Sequence, residues 1–255
     1  MATIIKTSLV IGFCGKILTK VKIIKDCNIM RIQGVLWDMD GVLVDTGEFH
    51  YQAWSRTLAL FDIPFSRKLF LETFGMNNKG ILERLLGYQP DHRFFTIIID
   101  KKETLFRQVI HGHVKPLPGV VEMLHFLKSK GIRQAIASSA PQENIDALVD
   151  ELILRDSFEA IVSGDELAGK PAPDVFLAAS QALGVPPQNC LVIEDAVTGV
   201  EAAKRAGILC LAVTNTNPAE KLYQADYVVE SLLQVDSVLC EALLQLSQER
   251  NNKNG

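Results

Sequence analysis

Two aspartates two positions apart, Asp38 and Asp40, stand directly after the run Ile32-Gln33-Gly34-Val35-Leu36-Trp37. A short apolar run of this type reads as a buried β-strand, and Gly41 reads as the turn that ends it. In an open α/β sheet, ligands bind at the carboxyl ends of the strands. Two acids buried there are costly unless a cation, a proton or hydrogen bonds compensate. The loop therefore holds a metal, does acid–base and nucleophilic work, or does both.

Three further positions fit the same chemistry. Ser138 follows Ala135-Ile136-Ala137, so its hydroxyl either donates to a phosphate oxygen or caps the helix expected near Pro141. Lys170 lies in Gly169-Lys170-Pro171-Ala172-Pro173, where two prolines fix the backbone at a helix start. An ammonium held this way beside carboxylates can neutralise a phosphoryl group and its attacking oxygen; otherwise it is a solvated loop lysine. Glu194 and Asp195 end the apolar run Leu191-Val192-Ile193. They either cap the next helix favourably for its dipole, or supply oxygens to Mg²⁺ together with Asp38 and a backbone carbonyl.

These groups must be positioned by elements far apart in the chain. Short β-branched runs at 134–138, 160–163, 191–194, 209–214 and 227–230 alternate with amphipathic stretches at 119–130, 141–154, 173–183, 199–206 and 219–224. Such alternation predicts an α/β fold, a parallel sheet with helices on both faces. Gly131, Gly184 and Gly207 follow three of the helical patterns as C-terminal caps. Residues 47–113 carry helical periodicity throughout, including a long candidate over 94–110, and read as a helical subdomain inserted after the first strand. Pro116-Leu117-Pro118-Gly119 marks the return to the main domain. The expected division is a core of 31–46 and 114–247, a helical insert of 47–113, and an extension of 1–30.

The 255 residues are 48% hydrophobic and 22% charged, which gives ample length for a sizeable core. A net charge of −4 gives no reason to expect nucleic acid as a partner. No apolar run is long enough to span a bilayer, so no membrane partner is expected. The cysteines Cys14, Cys27, Cys190, Cys210 and Cys240 are scattered, with no CxxC pair. Reduced thiols in a cytoplasmic protein are the expectation. The first thirty residues mix a short apolar stretch with Lys6, Lys16, Lys20, Lys22 and Lys25. They read as an extension outside the fold, with Met30 as an alternative start, rather than as a targeting segment.

At these motifs the chain resembles the haloacid dehalogenase-like superfamily, in its β-phosphoglucomutase-like subgroup with a helical cap. The matching residues, in order, are Asp38-x-Asp40-Gly41-x-x-x-Asp45-Thr46, Ser138, Lys170-Pro171 and Glu194-Asp195. The resemblance implies a Rossmann-like sheet with an inserted cap. It implies that Asp38 attacks phosphorus and becomes an aspartyl phosphate, and that Asp40 protonates the leaving oxygen and then takes a proton from water. Ser138 and Lys170 would hold phosphoryl oxygens. Asp38, the Asp40 carbonyl and Asp195 would bind Mg²⁺, with Glu194 nearby. Dehalogenases of the superfamily lack an acid at the position of Asp40, so phosphate transfer is preferred.

The resemblance also bears on selectivity. Thr46, His50 and Trp54 match the subgroup's core–cap junction, and Ser139 follows the second strand. His50 either contacts Asp40 or substrate, or is a junction histidine satisfied by backbone. In the loop Phe74-Gly75-Met76-Asn77-Asn78-Lys79, Phe74 and Asn78 stand where sugar-isomerising members carry Lys and Arg. Lys79 or Arg84 is a substitute cation. Neutral residues weaken a second phosphate site by removing charge-assisted hydrogen bonds. The expected activity is Mg²⁺-dependent hydrolysis of a small phosphorylated metabolite. β-Phosphoglucomutase activity is the second reading, and a catalytically silent binding homologue the third.

Overall fold

Among the described residues, six short strands rich in Val, Ile, Leu, Ala and Cys pair into one parallel sheet in the order β3-β2-β1-β4-β5-β6. They are β1 (Gly34–Trp37), β2 (Arg133–Ser138), β3 (Ala160–Ser163), β4 (Cys190–Glu194), β5 (Leu209–Val213) and β6 (Tyr227–Val229). The computed structural model describes residues 32–73 and 76–235. The extension 1–30, Phe74 and the chain beyond 235 lie outside those residues.

Every residue of β1 and β4 is buried, because helices cover both faces of the sheet. Alternation of side chains along each strand divides the core. Val35, Trp37, Ile136 and Ile193 face α5 (Val120–Ser129) and α6 (Gln142–Glu151). Leu36, Ala135, Ala137 and Val192 face α7 (Asp174–Leu183) and α8 (Val197–Arg205). The fully buried Trp37, Leu36 and Phe176 each contribute about 1.5–3 kcal/mol through the apolar surface they remove from water. Gly131, Gly184 and Gly207 all take the left-handed conformation at the ends of these helices, as their positions in the sequence predict.

Between β1 and α5 come α1 (Gly47–Ala59), α2 (Arg67–Thr73), α3 (Asn78–Leu86) and α4 (His92–Ile110). They build an apolar cluster of their own from Trp54, Leu58, Ile81, Leu82, Ile98 and Ile99. The far end of α4, at Phe106 and Ile110, packs into the main core instead. This helix, with Ala53 of α1, ties the inserted layer to the sheet.

One helical expectation is corrected. The stretch 219–224 forms only a single 3-10 turn, Ala219–Lys221, after Pro218. Leu222 is its buried anchor while Tyr223 is exposed, and so short a segment cannot offset the cost of helix nucleation. Among the described residues no helix is long and apolar enough to cross a membrane.

Candidate active site

The sheet order gives the site its place. The chain runs β1, β2, β3 outward on one side of β1, then crosses to β4, β5, β6 on the other. The crevice at such a reversal is where open α/β sheets bind ligands. Trp37 pairs with Ile136 of β2 and Ile193 of β4, so the next residues outward are Asp38 and Glu194. The backbone N–H of Asp38 donates to the Ile193 carbonyl at 3.0 Å, which carries the pairing to the start of the acidic loop.

Lys170 enters this crevice from the loop before α7, ahead of a cis peptide to Pro171. Its ammonium donates to Asp38 Oδ1 and Glu194 Oε1, each at 2.6 Å, and only 2% of its side chain is exposed. Burial disfavours that charge, but the two carboxylates outweigh it and hold the lysine protonated well above its ordinary range. Burial pushes Asp38 up to about 8, with Glu194 and Asp40 adding to the rise and Lys170 opposing it. Asp195 is raised for the same reasons, first by burial and then by Glu194 and Asp38.

Asp40 is held apart from this cluster. Thr46 is the N-cap of α1, yet its hydroxyl does not cap the helix; it donates to Asp40 Oδ1. His50 Nε2 lies 3.4 Å from the same oxygen. Burial alone would raise Asp40, but the His50 contact, the Thr46 hydrogen bond and the Lys102 charge overcome it and lower the carboxyl below its usual value. The two aspartates are therefore pushed in opposite directions by their surroundings.

His50 and Lys102 continue this set into the inserted layer. The Lys102 ammonium lies 3.1 Å from His50 Nδ1 and donates to Glu103 Oε1 at 2.9 Å. An ammonium can only donate, so Nδ1 accepts and the proton of a neutral ring sits on Nε2, facing Asp40. Burial and the Lys102 charge lower the pKa of His50, in agreement with a neutral ring. Its ring stacks on Phe106 with centroids 4.0 Å apart. The Glu103 carboxylate also accepts from Asn78 Nδ2 at 2.7 Å and from Asn144 Nδ2 of α6.

Two glycines make room for the acids. Gly41 has φ of +85°, and a Cβ there would fall 2.0 Å from Asp195 Oδ2. A Cβ on Gly199, in α8, would fall 1.6 Å from Glu194 Oε1. Any larger residue at either position must displace a carboxylate of the cluster.

Asp38, Glu194 and Asp195 offer carboxylate oxygens within 4.8 Å of one another, all buried. Glu194 is already committed: Oε1 to Lys170, and Oε2 to the backbone N–H groups of Asp195 and Ala196 at 2.7 Å each. Asp195 is different. Both its oxygens are buried without a hydrogen bond, the neighbouring Thr216 hydroxyl easing the charge without reaching bonding geometry. A buried carboxylate left this way calls for a cation, and an all-oxygen donor set suits a hard divalent ion. The residues therefore fit a divalent metal.

The residues predicted from sequence fall into three groups. Asp38, Asp40, His50, Trp54, Asn78, Ser139, Lys170, Glu194 and Asp195 line one small cavity between the sheet and the inserted helices. Thr46 and Ser138 are buried just behind it; the Ser138 oxygen accepts from the Ala140 N–H at 3.1 Å and does not cap α6. Lys79 and Arg84 are exposed on α3 and do not reach the cavity wall. Neither is the substitute cation expected for the Asn78 position, since the α3 face carrying Asn78, Ile81 and Leu82 is the one that packs inward.

Sequence reasoning missed Lys102, Glu103 and Asn144. Asp100-Lys101-Lys102-Glu103 looks like a solvated charge run. The usable signal was periodicity: Ile98, Lys102 and Phe106 recur every four residues, which sets the lysine on an apolar stripe.

A parallel α/β sheet, a cluster of buried acids with a captive lysine at its switch point, and a helical insert over them define a class of enzyme that works on phosphate esters. A family model for haloacid dehalogenase-like hydrolases matches residues 32–207. The β-phosphoglucomutase of Bacillus subtilis is 35% identical over 78% of this chain and 89% of its own length. A phosphorylated carbohydrates phosphatase of Thermotoga maritima is 34% identical over 69% of this chain and 82% of its own. Among solved structures, a β-phosphoglucomutase from Clostridium difficile superposes with a TM-score of 0.75 at 27% identity, covering 83% of this chain and 97% of that one. The chain belongs to the haloacid dehalogenase-like hydrolases, among their phosphatases and phosphomutases.

Proposed function

We propose that this enzyme hydrolyses a small phosphomonoester through an aspartyl phosphate on Asp38, supported by Mg²⁺. The observation that carries this reading is the pair of differently held aspartates. Asp38 sits against Lys170 at 2.6 Å, while Asp40 is set apart by Thr46 and His50. An Asp38 oxygen attacks phosphorus and the P–O bond to the alcohol breaks. Lys170, with the Ser138 hydroxyl, meets charge on the phosphoryl oxygens. In its protonated form Asp40 gives a proton to the departing alcohol, and the carboxylate this leaves then accepts one from the water that attacks the aspartyl phosphate. Thr46 and His50 both engage Oδ1 of Asp40, which leaves Oδ2 to carry that proton. Bound Mg²⁺, held by Asp38, Asp195 and the Asp40 carbonyl with Glu194 behind them, would offset negative charge on the transferred group.

Residues 47–113 act as a cap whose Trp54, Asn78 and His50 contact the leaving group and exclude water. Phosphomutase activity is the second reading, favoured by the Bacillus relative and the Clostridium neighbour. The neutral Asn78 speaks against a second phosphate at the cap. The test is phosphate release from a panel of phosphomonoesters, run beside β-glucose 1-phosphate conversion with and without a bisphosphate primer. We expect release that stops in EDTA and returns with Mg²⁺. Full activity in chelator removes the metal from the mechanism, and primer-dependent isomerisation without release replaces hydrolysis by the mutase reading.

A further inference from the structure

The wall of the cavity opposite the carboxylates comes from the inserted layer, through Trp54, Phe70, Met76, Ile81, Asn78 and the Lys102–Glu103 pair. Among the described residues of that wall, the pair supplies the formal charge, the His50 ring accepting from the Lys102 ammonium at Nδ1. The two charges cancel, and both are committed. Lys102 is spent on Glu103 and His50 and stands 5.3 Å and 5.4 Å over the rings of Trp54 and Phe106. Glu103 is spent on Lys102, Asn78 and Asn144. Because one N–H of Asn78 Nδ2 goes to Glu103, this amide can offer a ligand only its carbonyl oxygen and one remaining, uncharged N–H. A neutral amide suits a hydroxyl and gives the oxygens of a phosphate or carboxylate no charge-assisted hydrogen bond.

From this we infer that the site selects phosphomonoesters whose leaving group is uncharged, an alcohol with hydroxyls and an apolar edge, and discriminates against a second phosphate or a carboxylate. The inference rests on the phosphohydrolase reading and narrows it. A leaving group with its own negative charge would give up water here for a wall of zero net charge, four apolar side chains and a neutral amide. Specificity against it comes from that uncompensated desolvation, without any clash of shape.

The experiment is kcat/KM for phosphate release by the full chain with Mg²⁺ on two matched pairs. These are glycerol 3-phosphate against 3-phosphoglycerate, and glucose 6-phosphate against glucose 1,6-bisphosphate. We expect the uncharged member to lead in each pair by a factor on the order of 10 to 100, the value of one or two missing charge-assisted hydrogen bonds. Glu103→Gln leaves the wall with one net positive charge and should narrow both ratios by roughly tenfold. Equal or faster release from the charged members, by the unaltered chain, overturns the inference while leaving hydrolysis standing. No release from any of the four overturns the phosphohydrolase reading on which it rests.

Discussion

Asp40 shows how much a single carboxyl depends on its neighbours. Burial would make it a weak acid, yet His50, Thr46 and the Lys102 charge lower its pKa and favour the ionised form. An ionised Asp40 is ready to accept a proton from water, the task of the second half-reaction. Removing it should therefore leave attack by Asp38 on an activated ester largely intact while slowing breakdown of the aspartyl phosphate. With p-nitrophenyl phosphate, Asp40→Asn should release about one nitrophenolate per enzyme quickly, followed by turnover slowed about 10²–10⁴-fold, the usual worth of a general base. A uniform slow release with no burst would mean that Asp40 acts before the covalent step. The residues that do this chemistry were legible because acids, a serine and a lysine fell at strand ends. Lys102 and Glu103 were not, since their partners lie 52 and 41 positions away at His50 and Asn144.

At the scale of elements, α8 approaches the end of β4 so closely that only glycine fits between them. Gly199→Ala in an ordinary helix would add about 0.5–1 kcal/mol of stability. Here the new methyl meets the Glu194 carboxylate at 1.6 Å, and that carboxylate holds Lys170. The expected outcome is a reversed sign: a loss of about 1–3 kcal/mol from overpacking, with a fall in phosphate release. Urea unfolding and turnover measured on the same preparation check it; a more stable and fully active variant would show that Glu194 is free to move. The strands, five of the helical stretches and the three terminal glycines were readable from local periodicity and turn chemistry. The 3-10 turn at Ala219–Lys221 was not, because its six-residue pattern is too short to separate helix from turn. Gly199 was also unreadable, since its need for a bare Cα comes from β4 and not from its own helix.

Across the whole molecule, the inserted helices and the sheet are joined at Asn144 of α6, which accepts from Arg107 at 2.8 Å and donates to Glu103. Burial works against ionised Glu103, but Lys102 and His50, with hydrogen bonds from Lys102 and Asn144, lower its pKa below the ordinary value. A depressed carboxyl stabilises the fold fully above its unfolded pKa of about 4.3, and that contribution fades as pH falls through the lower folded value. Glu103→Gln should cost about 3–5 kcal/mol near neutral pH by stranding Lys102. The gap from the unaltered chain should hold down to about pH 5 and close in more acid solution. Urea midpoints across that range test this, and a gap independent of pH would assign the cost to packing. The central claim is that Asp38 itself carries the phosphoryl group, and trapping is its most direct test. The Asp40→Asn enzyme is mixed with p-nitrophenyl phosphate and Mg²⁺, quenched in acid during the burst, and its peptides are sequenced by mass spectrometry. Phosphate on Asp38, and none in the Asp38→Asn chain, is the result expected; an unmodified Asp38 during active turnover, or phosphate on another residue, would contradict the account.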